Sequence, residues 1–261
     1  MKFDEVAEYV GDIPYIRPSK GKIIYDFIRK SKPEKCLELG FYHGSSSCYI
    51  AAAMQENGVG HLTTIDRTIA LDLKPTIREL LDELNLEDYV TPIFAERSYN
   101  WELMKIIEKN SIGNSLEPIY DFCFIDGAHS WETDGFAFLL CSKLLKPGGW
   151  VLFDDMSYRF KDTIEDQGEE TTAFLSSLTD EEKNTAQVLK VFLLLVMQHL
   201  EFEESYIDGV WGWARKKETA SGKLNNAQRN FIRNIYAKTL LWRIGANLRL
   251  YLRKAFRLLR N

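Results

Sequence analysis

Short continuous apolar runs alternate along the chain with segments whose apolar residues recur every three or four positions. The runs at 35–39, 62–65, 89–94, 122–125 and 150–153 read as strands, and their lack of polar alternation marks strands covered on both faces. The segments 19–30, 45–55, 74–84, 101–109 and 133–145 read as helices, as do 170–178 and 187–199. Pro33 breaks the first helix, residues 57–60 make a turn, and Lys146-Pro147-Gly148-Gly149 makes another. Two last strands, 202–206 and 210–214, have no helix between them and should pair antiparallel as a hairpin. Strands alternating with helices predict a Rossmann-like, doubly wound α/β domain over residues 1–218. Residues 219–261 read as a polar linker and a basic amphipathic helix.

Two of the strands end in acids. The run 122–125 delivers Asp126, with His129 one short turn later, and the run 150–153 delivers Asp154 and Asp155. Carboxyl ends of parallel strands lie on one edge of the sheet, where open α/β proteins bind ligands. Three carboxylates crowded there without a cation would repel one another and resist ionisation. The cluster therefore points to a divalent cation with a base beside it. Trp131 and Glu132 read as the start of the following helix.

Composition narrows the setting. Hydrophobic residues make up 45% of the chain and aromatic residues 13%, enough for a packed core. The first 20 residues carry Asp4, Glu5, Glu8 and Asp12 and no apolar stretch typical of a secretion signal. Cys36, Cys48, Cys123 and Cys141 form no Cys-x-x-Cys and read as reduced core residues of a cytoplasmic protein. Charge is uneven: the formal total of −5 divides into +10 over residues 223–261, which contain no acid, and −15 before them. Such a helix, residues 226–260, suits an anionic membrane surface, packing on its own acidic body, or a dimer contact. No recognised nucleic-acid reading motif accompanies the charge.

Between the first strand and its helix lies Glu38-Leu39-Gly40-Phe41-Tyr42-His43-Gly44-Ser45-Ser46. Gly40 permits a tight turn, Gly44 a close backbone approach, and the following helix offers unbonded N–H groups. Asp66 ends the second strand, where an acid can accept hydrogen bonds from ribose hydroxyls. This Glu-x-Gly-x-x-x-Gly-x-Ser pattern, with its acid, resembles the class I S-adenosylmethionine-dependent methyltransferases. Residues 19–53 are similar in spacing to catechol O-methyltransferases, and IDGAHSWE with LLKPGGWVLFDDM resembles the metal-dependent sugar O-methyltransferases.

The resemblance implies a seven-stranded sheet of order 3-2-1-4-5-7-6. It implies that Glu38, Gly40, Tyr42, Gly44 and Ser46 cradle the methionine part of the cofactor and Asp66 its ribose. Ala95, Glu96 and Arg97 would flank the adenine, in place of the Gly-x-Ser usual there. Asp126 would border the cofactor as well as the metal, with Asp126, Asp154 and Asp155 holding Mg²⁺. His129 stands where those enzymes place the residue that takes the acceptor's proton, and Asp126 shares the catalytic corner. The reaction expected is methyl transfer to a hydroxyl of a sugar, glycan or small molecule. Two other readings stand beside it: an NAD(P)-dependent oxidoreductase or epimerase, against which Tyr42 and the absence of a Tyr-x-x-x-Lys pair weigh, and a non-catalytic membrane-associated module of the same fold. The acceptor and the oligomeric state are left open.

Overall fold

A computed structural model describes residues 1–163 and 169–218. Two helices, α1 (Phe3–Val10) and α2 (Pro18–Ser31), precede the sheet. There follow β1 (Lys35–Leu39), α3 (Ser45–Asn57), β2 (His61–Arg67), α4 (Ile77–Glu83), β3 (Val90–Ala95) and α5 (Tyr99–Lys109). A two-stranded ribbon, β4 (Ser111–Ile112) with β5 (Ser115–Leu116), leads into β6 (Tyr120–Ile125), α6 (Trp131–Leu144) and β7 (Leu145–Phe153). Helices α7 (Glu169–Ser177), α8 (Asp180–Asn184) and α9 (Gln187–Val191) precede the closing hairpin, β8 (Phe202–Asp208) and β9 (Trp211–Lys216).

The main sheet runs β3-β2-β1-β6-β7-β9-β8. Pairings are parallel from β3 through β7 and antiparallel for β7 with β9 and β9 with β8. Numbered within this sheet alone the order is 3-2-1-4-5-7-6, as the resemblance implies; the ribbon β4–β5 lies outside it and was not anticipated. Helices cover both faces, so successive residues of one strand enter opposite cores. Phe122 and Phe124 of β6 pack with α1, α2 and α3, while Cys123 and Ile125 pack with α5, α6 and α9. That alternation under full burial is why the strand reads as an unbroken apolar run.

The first helical layer is close-packed through small residues. Ala51, Ala52 and Ala53 of α3 are buried, as are Gly21, Ile24 and Ile28 along one stripe of α2. Gly21 lies against the Tyr49 ring, so any Cβ there would collide with it. Pro18 opens α2 at its first turn, and Lys32 closes it in the left-handed conformation at φ 48°.

Several boundaries differ from expectation. The helix expected over 74–84 starts at Ile77, because Pro75 disfavours a helical residue before it and Thr76 with Glu79 forms a capping box. The turn expected at residues 146–149 is part of β7, and a register shift between the Tyr120–Leu145 and Phe122–Trp150 pairs accommodates its glycines. The helix expected over 187–199 is α-helical only to Val191 and continues as a wider π-turn over Phe192–Val196. Helix α1, in a stretch without an assigned element, buries Val6 and Val10. The basic helix and linker expected over residues 219–261 lie outside the described residues. Among the described residues no helix is long and apolar enough to cross a membrane.

Replacing Gly21 by alanine should destabilise the domain by about 1–3 kcal/mol through overpacking against Tyr49. Urea unfolding of the wild type and Gly21→Ala checks this; equal midpoints would show that α2 can shift without cost.

Candidate active site

The carboxyl ends of β1, β2, β3, β6 and β7 place the sequence-selected residues along one edge. Glu38 lies within β1 and is fully buried. Its Oε2 accepts hydrogen bonds from Ser47 Oγ and, at 2.6 Å, from Thr64 Oγ1. Its Oε1 finds no hydrogen-bond partner among the described residues, and neither does the buried Oγ of Ser45. Burial raises the Glu38 carboxyl to about 7, against the hydroxyls of Ser46, Ser47 and Thr64, which favour the ionised form.

Gly40 and Gly44 both take positive φ, 87° and 99°. A Cβ on Gly40 would strike the main-chain oxygen of Asp126, and one on Gly44 would press on Ile77 at 2.5 Å. Gly44 is also the N-cap of α3, and among the described residues no side chain caps that helix. Its first N–H groups therefore remain available to an anionic ligand. Asp66 braces the turn from β2: Oδ2 accepts the N–H groups of Phe41 at 2.8 Å and Tyr42 at 2.6 Å, and Oδ1 that of Arg67 at 2.7 Å. Burial raises its carboxyl despite those bonds from Tyr42, Arg67 and Phe41. Tyr42 stands in the left-handed region at φ 48°, and its ring meets Tyr15 edge-on at 4.6 Å. Ala95 is buried at the end of β3, with Glu96 and Arg97 exposed beyond it.

Asp126 leaves β6 with its N–H bonded to the Leu39 oxygen at 2.9 Å, which ties this corner to the glycine turn. His129 follows at φ 56°, and its Nε2 lies 3.4 Å from both Asp126 Oδ1 and Asp155 Oδ2. These are ion-pair contacts and too long for well-aligned hydrogen bonds. Tyr158 packs on the imidazole at 4.9 Å between ring centres. Beneath the loop, Tyr99 donates to the buried Asp134, and the Ala128 N–H reaches both at 3.2 Å. Gly127 leaves room for the Tyr99 ring, 2.6 Å from where its Cβ would stand.

Burial would lower the His129 pKa, but the two carboxylates outweigh it and hold the imidazole well above its usual value. As placed, the ring is a cation between two anions. The expected base therefore carries its proton already in this arrangement.

The acids themselves divide. Asp154 is 3% exposed and Lys20 Nζ spans its two oxygens at 2.9 and 3.0 Å, with Asp155 Oδ1 at 3.3 Å. Burial, Asp126 and Asp155 push Asp154 up to about 7 against the pull of Lys20. Burial also opposes ionisation of Asp155, yet His129 and Lys20 hold it down at about 2. Lys20 stays protonated, since Asp154, Asp155 and Asp126 overcome the cost of its burial.

The side chains fit both groups that the sequence implies. The unpartnered Glu38 oxygen, the uncapped α3 and the two positive-φ glycines suit the amine, carboxylate and close backbone approach of an S-adenosylmethionine tail. One ligand atom from each of Asp126, His129 and Asp155 lies within 4.8 Å of the others, a spacing that a divalent cation can bridge. That trio differs from the expected Asp126, Asp154 and Asp155: the structure brings His129 into the group, and both Asp154 oxygens face Lys20. Residues 19–53 contain Lys20, but sequence reasoning passed over it; a lysine in the first turn of a helix, against the helix dipole, was the available signal. Asp134 and Tyr99 were missed too, since nothing local marks a loop support.

Residues 37–156 match a family described as a methyltransferase domain. No curated protein matches the chain. Among solved structures it is similar to an O-methyltransferase from Bacillus cereus in complex with SAH, at 18% identity and a TM-score of 0.54 over 82% of this chain and 90% of that one. It is similar also to TomG of Streptomyces achromogenes, an O-methyltransferase involved in tomaymycin synthesis and solved with SAM, at 17% identity and 0.54 over 82% and 89%. SAH-bound methyltransferase PaMTH1 of Podospora anserina aligns at 17% identity and 0.56 over 82% and 87%. At such identities the structural likeness is one of fold. The matched segment, just under half of the chain, and the solved structures thus point the same way: a methyltransferase-domain match within a fold shared with O-methyltransferases.

The raised Glu38 pKa carries a stability consequence. The folded protein keeps a proton that the unfolded chain loses, so the contribution is complete below about 4.5 and is lost as pH rises to about 7. Glu38→Gln should remove a fall on the order of 1–3 kcal/mol between pH 4.5 and 7.5 in the cofactor-free protein. Denaturation at the two pH values tests it, and an unchanged fall in the variant would contradict it.

Proposed function

We propose that this chain transfers the methyl group of S-adenosylmethionine to a hydroxyl oxygen of a small-molecule acceptor, with the help of a divalent cation. The observation that carries the reading is the corner at Asp126. Its main-chain oxygen packs against Gly40 of the cofactor turn, while its side chain joins the acid cluster. Donor and acceptor halves of a transfer site therefore meet at one residue. The solved O-methyltransferases of similar fold support oxygen as the accepting atom. A sugar or glycan hydroxyl is preferred over a catechol because IDGAHSWE and the paired aspartates resemble the sugar enzymes.

In this reading Glu38, Gly40, Tyr42, Gly44 and Ser46 hold the methionine portion, Asp66 the ribose, and Ala95 with Glu96 the adenine. The acceptor oxygen attacks the methyl carbon in line, the carbon–sulfur bond breaks, and S-adenosylhomocysteine leaves. Positioning of the two reactants supplies most of the rate. To take the hydroxyl proton at Nε2, His129 must first give up the proton that Asp126 and Asp155 favour on it, a loss that a divalent cation held by those two acids would promote. A divalent cation held by Asp126 and Asp155 would lower the hydroxyl's pKa and orient it. Asp154, the third acid, would have to leave Lys20 to join them. The nicotinamide reading is not favoured, because Tyr42 occupies the turn where a pyrophosphate would need a smaller residue.

Calorimetry should show S-adenosylhomocysteine binding and no NAD binding; NAD binding alone would sink the proposal. Asp126→Ala should lower transfer of labelled methyl to acceptor by about 100-fold or more while S-adenosylhomocysteine still binds. Retained transfer would remove Asp126 from the chemistry.

A further inference from the structure

Lys20 is an ammonium that its own helix does not want. It stands in the first turn of α2, which holds no acid, and the helix dipole there disfavours a cation. What keeps it in place is the opposite side of the site. Nζ spans both oxygens of Asp154 at 2.9 and 3.0 Å, reaches Asp155 Oδ1 at 3.3 Å, and lies 5.4 Å over the Trp211 ring. Asp154 is nearly inaccessible, so an uncompensated charge on it would be costly.

The contact also acts on the next residue. Asp155 adopts a left-handed φ of 57°, and its N–H is held by Asp154 Oδ1 at 2.6 Å. A non-glycine residue keeps that conformation only where its surroundings over-determine it. The Lys20 bridge across both carboxylates supplies one such constraint. It turns Asp155 Oδ2 toward His129 and Asp126, the trio that can receive a divalent cation.

We infer that Lys20 is a built-in competitor of the divalent cation: it occupies Asp154 and part of Asp155, so an ion drawn to the acid cluster must displace it or endure it as a neighbouring charge. This inference rests on the proposed metal-assisted acceptor site. Its physical content is a charge balance. Asp126, Asp154 and Asp155 face two side-chain cations, Lys20 and His129, so much of the attraction for a metal is already spent. Removing the ammonium should return it.

Mn²⁺ is the probe, and its binding to the whole chain is read by electron paramagnetic resonance without any turnover. Lys20→Met should bind Mn²⁺ at least tenfold more tightly than the wild type. Lys20→Gln, which can still donate to Asp154 without carrying charge, should tighten it in the same direction, and Lys20→Arg should stay within about threefold of wild type. Lys22→Met, an exposed lysine paired with Asp26 on the same helix, controls for general charge and should change little. S-adenosylhomocysteine affinity should be unaltered in the Lys20 variants, which reports an intact cofactor turn. Equal or weaker Mn²⁺ binding by both Lys20→Met and Lys20→Gln, or tightening matched by Lys22→Met, overturns the inference. Asp126→Asn separates the two levels: if it leaves Mn²⁺ binding by Lys20→Met unchanged, the acid cluster is not the metal site and the underlying reading fails instead.

Discussion

At Gly40 the chain leaves β1 with a positive φ and no side chain, and the main-chain oxygen of Asp126 fills the space a Cβ would need. Around that contact the adjacent strands β1 and β6 are held parallel from Cys36–Phe122 to Leu39–Ile125, and the Asp126 N–H extends the ladder by one bond to Leu39. The glycine turn and the acid-bearing turn are thus two sides of one tight joint. Asp66 braces the first side through the Phe41 and Tyr42 N–H groups, and Tyr99 with Asp134 braces the second through Ala128. A shift of either turn would disturb both halves of the site, because the interior leaves no slack to absorb it.

Charge is the second organising constraint. Asp126, Asp154 and Asp155 come together because two parallel strands end side by side, and water cannot neutralise a carboxylate as buried as Asp154. Lys20 arrives from α2, outside the strand–helix alternation, and His129 from the loop after β6. Each cation contacts two acids. The acids consequently lose their equivalence: Asp154 becomes the member anchored to Lys20, and Asp155 the one directed at His129. The edge can collect charge without opening the sheet because its counter-charges come from separate elements.

Much of the architecture was legible in the residues. Unbroken runs such as Phe122 to Ile125 can only be strands covered on both faces, and the absence of a helix between β8 and β9 leaves only antiparallel pairing. The glycine turn, Asp66 and the paired aspartates could also be read, since each follows a strand whose end must reach the same edge. The boundaries around Pro75 and Gly148 could not. There the chain could form a helix or a turn locally, and the choice fell to a capping box in one case and to pairing with β6 in the other. Helix α1 escaped notice because Val6 and Val10 make too short a stripe to stand out from a polar terminus.

The sequence by itself determined the α/β class and the carboxyl edge at which Gly40, Asp66, Asp126, Asp154 and Asp155 gather. These follow from local periodicity and from the rule that parallel strands share an edge. The tertiary structure decided which side chains face one another: that Asp154 meets Lys20, that His129 sits between Asp126 and Asp155, and that Glu38 keeps one oxygen without a partner among the described residues. Such pairings join residues as far apart as positions 20 and 154, and nothing in the neighbourhood of either one encodes the distance to the other. They exist only once the packing of α2 on α3 and of β6 on β7 has brought two remote segments within reach of a hydrogen bond.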